Sequence, residues 1–404
     1  MRLWTRLLTT PVHLAWSLVS ALICAVGRRR SVLVFTHARD ISGGRDAQMG
    51  PLVDALVERR EKFTELCMIP FGASFLHCLW LKRRFFVSYT AVLALAWILS
   101  LGRRGDTWDQ RRRAARWLLR LLRPRLVYLI DESGSGQPIL RAAHDLGIPV
   151  LAIQHGDFLN PHYAAARRGG SDVEAADLFC LWSSWFQERL LRVSPIYTLA
   201  NTRITGRLRT VAPKASVVSG AVPRVLVLGE VGACFRHEVE AFLVALDAAG
   251  MKASYRPHPA EAMPKSGVAA VTISKETTLA QALQHCDVVL GSSSSALLEA
   301  LYHGVAVVVF CSPRLDDPAG FAREGLAMRC DVPGDLPELC LRLARKRHAS
   351  CAASARAIVW GDAETNVIEE IFGAAREVIS GRPLATCDNV LRVSPRNLSP
   401  RQKP

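Results

Sequence analysis

Two strand ends, about thirty residues apart, constrain the fold of this chain more than any other feature. The first reads Tyr-Arg-Pro-His-Pro and contains His258, and the second reads Val-Val-Leu-Gly followed by four serines, residues 292–295, and an apolar helical pattern. In a parallel α/β sheet, the carboxyl ends of neighbouring strands meet at one crevice. The imidazole and the hydroxyl-lined start of the helix are therefore expected to face the same ligand, and a phosphate suits that arrangement.

The residue types at these strand ends fit phosphate binding. Prolines on both sides restrict the backbone of His258, and its imidazole can give a hydrogen bond or a proton to a leaving phosphate oxygen. Ser292, Ser293 and Ser294 are small enough for an anion to approach the backbone and the first helical N–H groups. Glu299, one turn into the helix, is expected to accept hydrogen bonds from sugar or ribose hydroxyls. The alternative is that His258 only ends a strand and the serines only cap a helix.

Strand and helix patterns alternate through most of the chain, which has 404 residues and is long enough for two domains. Strand, helix and strand follow one another closely, and this favours parallel pairing. We therefore predict an α/β fold of two Rossmann-like parallel-sheet domains facing a cleft, over residues 31–205 and 223–350. Residues 206–222 are predicted to link them, residues 351–380 to form a helical segment and residues 381–404 a disordered tail.

Positive charge is concentrated at the start of the chain. Up to residue 125 there are 22 Lys and Arg against 8 Asp and Glu, a net charge of +14, while the whole chain carries +15. Two uncharged apolar runs lie in this part, residues 7–26 and 85–101, and arginines flank both. Such flanks are typical of segments that lie in an anionic membrane surface. We predict membrane-associating N-terminal helices, chiefly in residues 1–30. The alternatives are that residues 7–26, which are long enough, span the bilayer and that residues 85–101 form an ordinary buried helix.

Several other classes of protein fit the sequence less well. The eleven cysteines include no Cys-x-x-Cys pair, so we expect free thiols in a reducing compartment and no structural zinc site. Arginines 28–30 occupy the position of a signal peptide's cleavage site, which disfavours a secretory signal but leaves a signal anchor open. Nucleic acid is not an expected partner, because the arginines flank apolar runs and do not alternate with aromatic side chains.

The order of these motifs resembles a known group. A first α/β domain, a second with an Arg-Pro-His-Pro strand end, and a serine cluster opening a helix with a glutamate are similar to glycosyltransferases of the GT-B fold. Within that fold, the pattern is similar to bacterial capsule and surface-polysaccharide enzymes: sialyl- and polysialyltransferases, Kdo transferases and teichoic-acid glycerophosphotransferases. In several of these, a His-Pro and a Ser-Ser motif hold the phosphate of a cytidine nucleotide donor. The resemblance implies a donor site formed by Arg256, His258, Ser292, Ser293, Ser294 and Glu299, with His258 as the acid for the leaving nucleotide.

The same resemblance implies that the N-terminal domain binds the acceptor. Asp131 and Glu132 end one strand before a glycine-rich turn, and Gln154 and His155 end the next. A carboxylate or imidazole at the cleft wall can remove the proton of an acceptor hydroxyl, so Asp131 and His155 are the predicted catalytic groups. In the sialyltransferases a glycine follows the paired acids, whereas this chain has Ser133. Helix capping by Asp131 or Glu132 is the alternative.

A glycine pair is a weaker signal for the predicted site. Gly43 and Gly44 lie between a strand and a helix, where they can admit an acceptor or simply form a tight turn.

No Asp-x-Asp motif occurs near the predicted donor site. We therefore predict chemistry without a metal or other cofactor, with His258 and the helix N-terminus neutralising the leaving phosphate.

The sequence thus predicts a glycosyltransferase at the cytoplasmic face of the inner membrane, peripheral or monotopic. Its expected donor is a nucleotide-sugar, most simply a CMP-linked sugar of the Kdo or sialic-acid type, with UDP-sugars still open. Its expected acceptor is a cell-surface polysaccharide or a lipid-linked glycan. Two alternatives stay open: a sugar-nucleotide epimerase, which shares this fold, and a non-catalytic membrane-bound partner of a polysaccharide assembly.

Overall fold

The computed structural model contains two α/β units, each built on one parallel sheet, and the predicted fold class is confirmed. It describes residues 2–27, 31–37, 41–42, 45–46, 49–69, 86–99, 107–130, 136–155, 167–168, 171–208, 222–229, 233–251, 253–257, 272–273, 278–292, 294, 296–311, 320–345, 359–360 and 366–381. The predicted domain boundaries stay predictions, and most of the predicted linker and tail lies outside these residues.

The N-terminal unit has a seven-stranded sheet in the order β11-β10-β7-β6-β1-β4-β5, with every neighbouring pair parallel. Its central strands are apolar and buried, as expected for a sheet covered on both faces. The strands are β1 Val32–His37, β2 Ile41–Ser42, β3 Arg45–Asp46, β4 Phe63–Met68, β5 Val87–Ser88, β6 Leu126–Leu129, β7 Val150–Ile153, β8 Arg167–Arg168, β9 Ser171–Asp172, β10 Leu178–Leu181 and β11 Thr202–Ile204. Strands β2 and β3, like β8 and β9, form small antiparallel ribbons. The helices are α1 Arg2–Gly27, α2 Gly50–Glu58, α3 Tyr89–Leu99, α4 Thr107–Leu122, α5 Gln137–His144 and α6 Ser184–Val193.

The C-terminal unit has a six-stranded parallel sheet in the order β14-β13-β12-β15-β16-β17. Its strands are β12 Val225–Leu228, β13 Ala253–Arg256, β14 Thr272–Ile273, β15 Val288–Gly291, β16 Ala306–Phe310 and β17 Met328–Cys330. Its helices are α7 Ala233–Ala248, α8 Leu279–Gln284, α9 Ala296–Tyr302 and α10 Leu336–Arg345. Strands and helices alternate along this half of the chain and the strands pair in parallel, as the sequence predicted.

The last helix, α11 Val367–Ser380, returns to the N-terminal unit. Its Glu369 pairs with Arg59, which caps the end of α2, and Arg203 of β11 reaches Glu377 at 2.7 Å. The Arg59 guanidinium also lies over the ring of Phe372, 4.3 Å from its centre. The last helix therefore packs on the N-terminal unit.

Helix α1 covers the edge of the N-terminal sheet with a polar inner face. His13 Nε2 lies 2.6 Å from Ser88 Oγ of β5, and Ser17 Oγ donates to the carbonyl of His13. Both side chains are buried, while several large apolar side chains on the other side of the helix are exposed. Among the residues that the structure describes, no helix combines the length and apolar character needed to cross a bilayer.

The second apolar run, residues 85–101, is largely internal where it is described. Strand β5 and the start of α3 lie in it, and Phe86, Val87, Tyr89, Ala91 and Val92 are buried. The Tyr89 ring packs edge-on against Phe35 of β1. For these residues the buried-helix interpretation holds.

The buried His13 predicts a specific pH dependence of folding. Desolvation lowers its pKa from 6.5 to about 4. Between these values the unfolded chain takes up a proton that the folded chain excludes, so stability is lost as the pH falls from about 6.5 towards 4. His13→Gln, which is neutral at every pH, should remove about 2 kcal/mol of the difference in unfolding free energy between pH 7 and pH 4.5, measured by urea denaturation.

The control for this experiment is His285→Gln, because His285 is exposed. This variant should keep the wild-type pH profile. A His13→Gln profile that parallels the wild type would show that His13 is not buried in its neutral form.

Candidate active site

Both sheets contain a point where the strand order reverses, and these points fix where a ligand can bind. In the C-terminal sheet the chain runs outward from β12 to β13 and β14, then returns to β15 on the other side of β12. The N-terminal sheet does the same around β1, between β4 and β6. Ligands of open α/β sheets bind in the crevice outside the carboxyl ends of the two strands at such a point. Each unit therefore carries one crevice.

The serine cluster lies at the crevice of the C-terminal sheet. Ser292 directly follows β15 and is fully buried. Ser294 Oγ accepts a hydrogen bond from the backbone N–H of Ala296, so this serine does cap α9, as the alternative interpretation held. Gly291 makes the turn possible, because a Cβ at that position would lie 3.0 Å from Leu297 Cδ2. The turn thus brings α9 close against the end of β15.

Glu299 connects this crevice to the N-terminal unit. Its Oε1 lies 2.8 Å from a terminal nitrogen of Arg207, which follows β11 of the other sheet. The two side chains are only 16% and 12% exposed. An arginine that follows the last strand of the N-terminal sheet therefore pairs with the Glu299 carboxylate, and the predicted contact of Glu299 with sugar or ribose hydroxyls stays a prediction.

Two neighbouring indole rings contact the Arg207 guanidinium. Its central carbon lies 4.9 Å from the ring centre of Trp182 and 4.8 Å from that of Trp360. The two rings are themselves 5.1 Å apart. Arginine is favoured in such a place because its planar cation stacks on aromatic faces and is less strongly hydrated than an ammonium. This arginine and its two tryptophans were not predicted from the sequence.

Gln154 supports the same group of residues from the acceptor side. Its side-chain oxygen accepts the backbone N–H of Trp182 at 2.9 Å, and its backbone carbonyl accepts the indole N–H at 3.1 Å. His155 follows it and is half-buried. A small cavity opens at this edge of the sheet, lined by Met49, Ile130, Ile153, Gln154, Trp182, Arg207 and Leu208. Predicted residues from both units are therefore linked through one chain of contacts: Gln154, Trp182, Arg207 and Glu299.

Of the remaining predicted site residues, the structure describes Arg256. Arg256 ends β13, is half-buried, and its carbonyl accepts the N–H of Gly229 at the end of β12. His258 lies two positions beyond it, outside the described residues. The predictions for Asp131, Glu132, Gly43, Gly44 and Ser293 also fall outside the described residues. In the sequence, Asp131 comes two positions after Leu129, which ends β6 at the N-terminal crevice.

Solved structures share this architecture. No protein-family model and no curated protein matches the chain. A UDP-N-acetylglucosamine 2-epimerase of Listeria monocytogenes superposes with a TM-score of 0.60 at 15% identity, covering 86% of this chain and 96% of its own. Acinetobacter baumannii MurG superposes with a TM-score of 0.53 at 16% identity, covering 86% of this chain and 99% of its own. Staphylococcus aureus MnaA, solved with UDP, superposes with a TM-score of 0.56 at 12% identity, covering 87% of this chain and 97% of its own. Similarity at this level shows the two-domain GT-B fold.

The buried pair between the units predicts a strong energetic coupling. Removing one partner leaves a mostly buried charge unpaired, so Arg207→Met and Glu299→Gln should each destabilise the protein. The double variant should lose less stability than the sum of the two single losses. We expect a coupling energy of about 1–2 kcal/mol in a double-mutant cycle measured by urea denaturation.

Arg125 and Glu61 provide a matched control pair, with an N···O distance of 2.7 Å but side chains 46% and 41% exposed. Their coupling should stay below about 0.5 kcal/mol, because solvent screens exposed pairs. Equal coupling in the two cycles would contradict the description of Arg207 and Glu299 as a desolvated pair.

Proposed function

We propose that this protein is a glycosyltransferase that moves a sugar from a nucleotide-sugar donor to a hydroxyl of a glycan or lipid-linked acceptor. The observation that carries the proposal is the contact of Glu299, beside the C-terminal crevice, with Arg207 at the carboxyl edge of the N-terminal sheet. A donor in one crevice and an acceptor in the other would then meet across this contact. The fold shared with enzymes named as glycosyltransferases supports the same conclusion.

The donor is assigned to the C-terminal crevice. The ends of β12 and β15 meet there, with Gly229 on one strand and the Ser292–Ser294 turn on the other, and Arg256 ends the adjacent strand β13. Serine hydroxyls and the nearby cationic side chain suit a phosphate. His258, two residues after Arg256, is assigned to the same phosphate. We propose a CMP-linked donor of the Kdo or sialic-acid type on the Pro-His-Pro and serine motifs.

The transfer step uses a base from the N-terminal unit and an acid from the C-terminal unit. The acceptor oxygen forms the new bond to the anomeric carbon while the bond from that carbon to the donor phosphate oxygen breaks. Asp131 or His155 takes the hydroxyl proton, and His258 donates a proton or hydrogen bond to the departing phosphate. In this scheme protein groups neutralise the leaving phosphate in place of a metal ion.

We place the enzyme at the cytoplasmic face of the inner membrane, where a lipid-linked acceptor would be available. Two observations support this location: the net charge of +14 within the first 125 residues, and the exposed apolar side chains along α1. A growing cell-surface glycan attached to a lipid is the acceptor that fits this location.

One specific observation favours a second candidate. The epimerase of Listeria monocytogenes has the highest TM-score among the similar structures given above. An epimerase would convert a UDP-sugar to its epimer without an acceptor, and NMR of the sugar nucleotide alone would detect that product. A transferase releases the nucleotide only when an acceptor or water takes the sugar.

The proposed roles predict that His258→Ala and Ser293→Ala each lower transfer about a hundredfold or more, because each removes a group that stabilises the leaving phosphate. The measurement is the release of CMP from CMP-Kdo and CMP-sialic acid in the presence of bacterial membranes as the acceptor source.

His285→Ala, at an exposed position on another loop, is the control and should keep full activity. Unchanged melting temperatures would show that the variants fold. Transfer that survives both substitutions would overturn the catalytic assignment, and turnover of UDP-sugars alone would favour the epimerase.

A further inference from the structure

Helix α1 carries its large apolar side chains on its outer face. Its inner face, packed against β5, α3 and α4, buries His13, Ser17 and Ser20 together with the small residues Ala21, Cys24 and Ala25. Its outer face exposes six large apolar side chains: Val12, Leu18, Val19, Leu22, Ile23 and Val26. A helix that faces water normally has polar residues on its outer face. The outer face of α1 is therefore not suited to contact with water.

The exposed apolar side chains form a continuous stripe. Val12, Val19, Ile23 and Val26 follow one another at intervals of seven, four and three residues, which places them on one side of an α-helix. The stripe is about 20 Å long. Val26, at its end, is 85% exposed. A contiguous apolar surface of this kind indicates an interaction site.

Helix α4 adds a basic and aromatic face next to this stripe. It packs against α1, and its Ala115, Leu118 and Leu119 are buried in the core. Its opposite side presents Arg113, Arg120 and Trp117, whose side chain is 51% exposed. Trp at the headgroup level and Arg beside lipid phosphates are characteristic of proteins that lie in a membrane interface.

We propose that the stripe on α1 and the Arg113, Trp117 and Arg120 face of α4 form one surface, here named the docking face, that binds an anionic lipid bilayer with α1 lying in the membrane plane. The apolar side chains enter the boundary between headgroups and acyl chains, and the arginines contact lipid phosphates. Arg113 and Arg120 are both exposed, and Arg113 also lines a surface pocket with Asp109 and Asp145.

The inner face of α1 determines its orientation. His13 and Ser17 are held against Ser88 and the helix backbone inside the protein, so lipid cannot surround the helix on all sides. An in-plane position leaves these buried contacts intact. A spanning position would require them to break.

A second copy of this chain is the alternative binding partner of the docking face, and electrostatic repulsion disfavours it. The first 125 residues carry 22 Lys and Arg against 8 Asp and Glu. Two such surfaces brought together would repel each other, whereas an anionic bilayer attracts each one. The docking face adds a specific surface to the proposed membrane location, and it does not depend on the proposed transfer reaction.

The test is sedimentation of the full-length protein with vesicles of phosphatidylcholine, with and without phosphatidylglycerol. The wild type should bind the anionic vesicles, and less strongly at high salt. The double variant Val19→Glu, Leu22→Glu should bind them about tenfold or more weakly, because it places charge in the acyl boundary. Arg113→Gln with Arg120→Gln should lose a similar factor and most of the salt dependence.

Val244→Glu is the matched control, because Val244 is a valine on helix α7 with 54% exposure, close to the 50% of Val19. It should bind vesicles like the wild type. Circular dichroism and melting temperature establish that every variant is folded. Vesicle binding that is unchanged in Val19→Glu, Leu22→Glu would overturn the proposal, as would the same loss in Val244→Glu or a loss only of self-association. Nucleotide binding should persist in the vesicle-deficient variants, which separates this inference from the proposed function.

Discussion

The contact between Arg207 and Glu299 is central to the proposed site, because it joins two sheets that have no strand in common. The Arg207 cation lies against the rings of Trp182 and Trp360 and pairs with a largely buried carboxylate beside the C-terminal crevice. Burial makes the pair costly to break, since each charge would remain in a poorly solvated place. In the proposed function, a donor and an acceptor would meet across this contact.

The two faces of α1 differ in their surroundings. On its inner face, His13 contacts Ser88 within the protein. Its outer face exposes large apolar side chains, and the proposed lipid interface would stabilise them. A sequence with an apolar run and arginine flanks indicates only that a membrane is near. The side of the helix that is buried distinguishes a helix lying in the interface from one crossing it.

The sequence predicted the fold and the crevices because parallel strands end in polar residues at the same edge of a sheet. That rule located Gln154, His155, Ser292 and Glu299, and all four lie at or beside those edges. It did not reveal the partner of Glu299, since 92 residues separate it from Arg207 and periodicity contains no information about contacts between domains. Applied to β10 and β11, the same rule would have singled out Trp182, which directly follows β10, and the segment that contains Arg207, three residues after the end of β11. For Ser294, the sequence alone does not distinguish helix capping from phosphate binding, because both roles require the same residue type at the same position.

The central claim is that a nucleotide phosphate binds where β12 and β15 separate, between the serine turn and His258. A crystal structure of the protein with CMP tests this claim most directly. The account predicts a phosphate within hydrogen-bond distance of the His258 imidazole and of a hydroxyl of the Ser292–Ser294 turn, with the nucleoside beside Glu299. A phosphate bound elsewhere, or a histidine and serine turn too far apart for one phosphate to contact both, would contradict it.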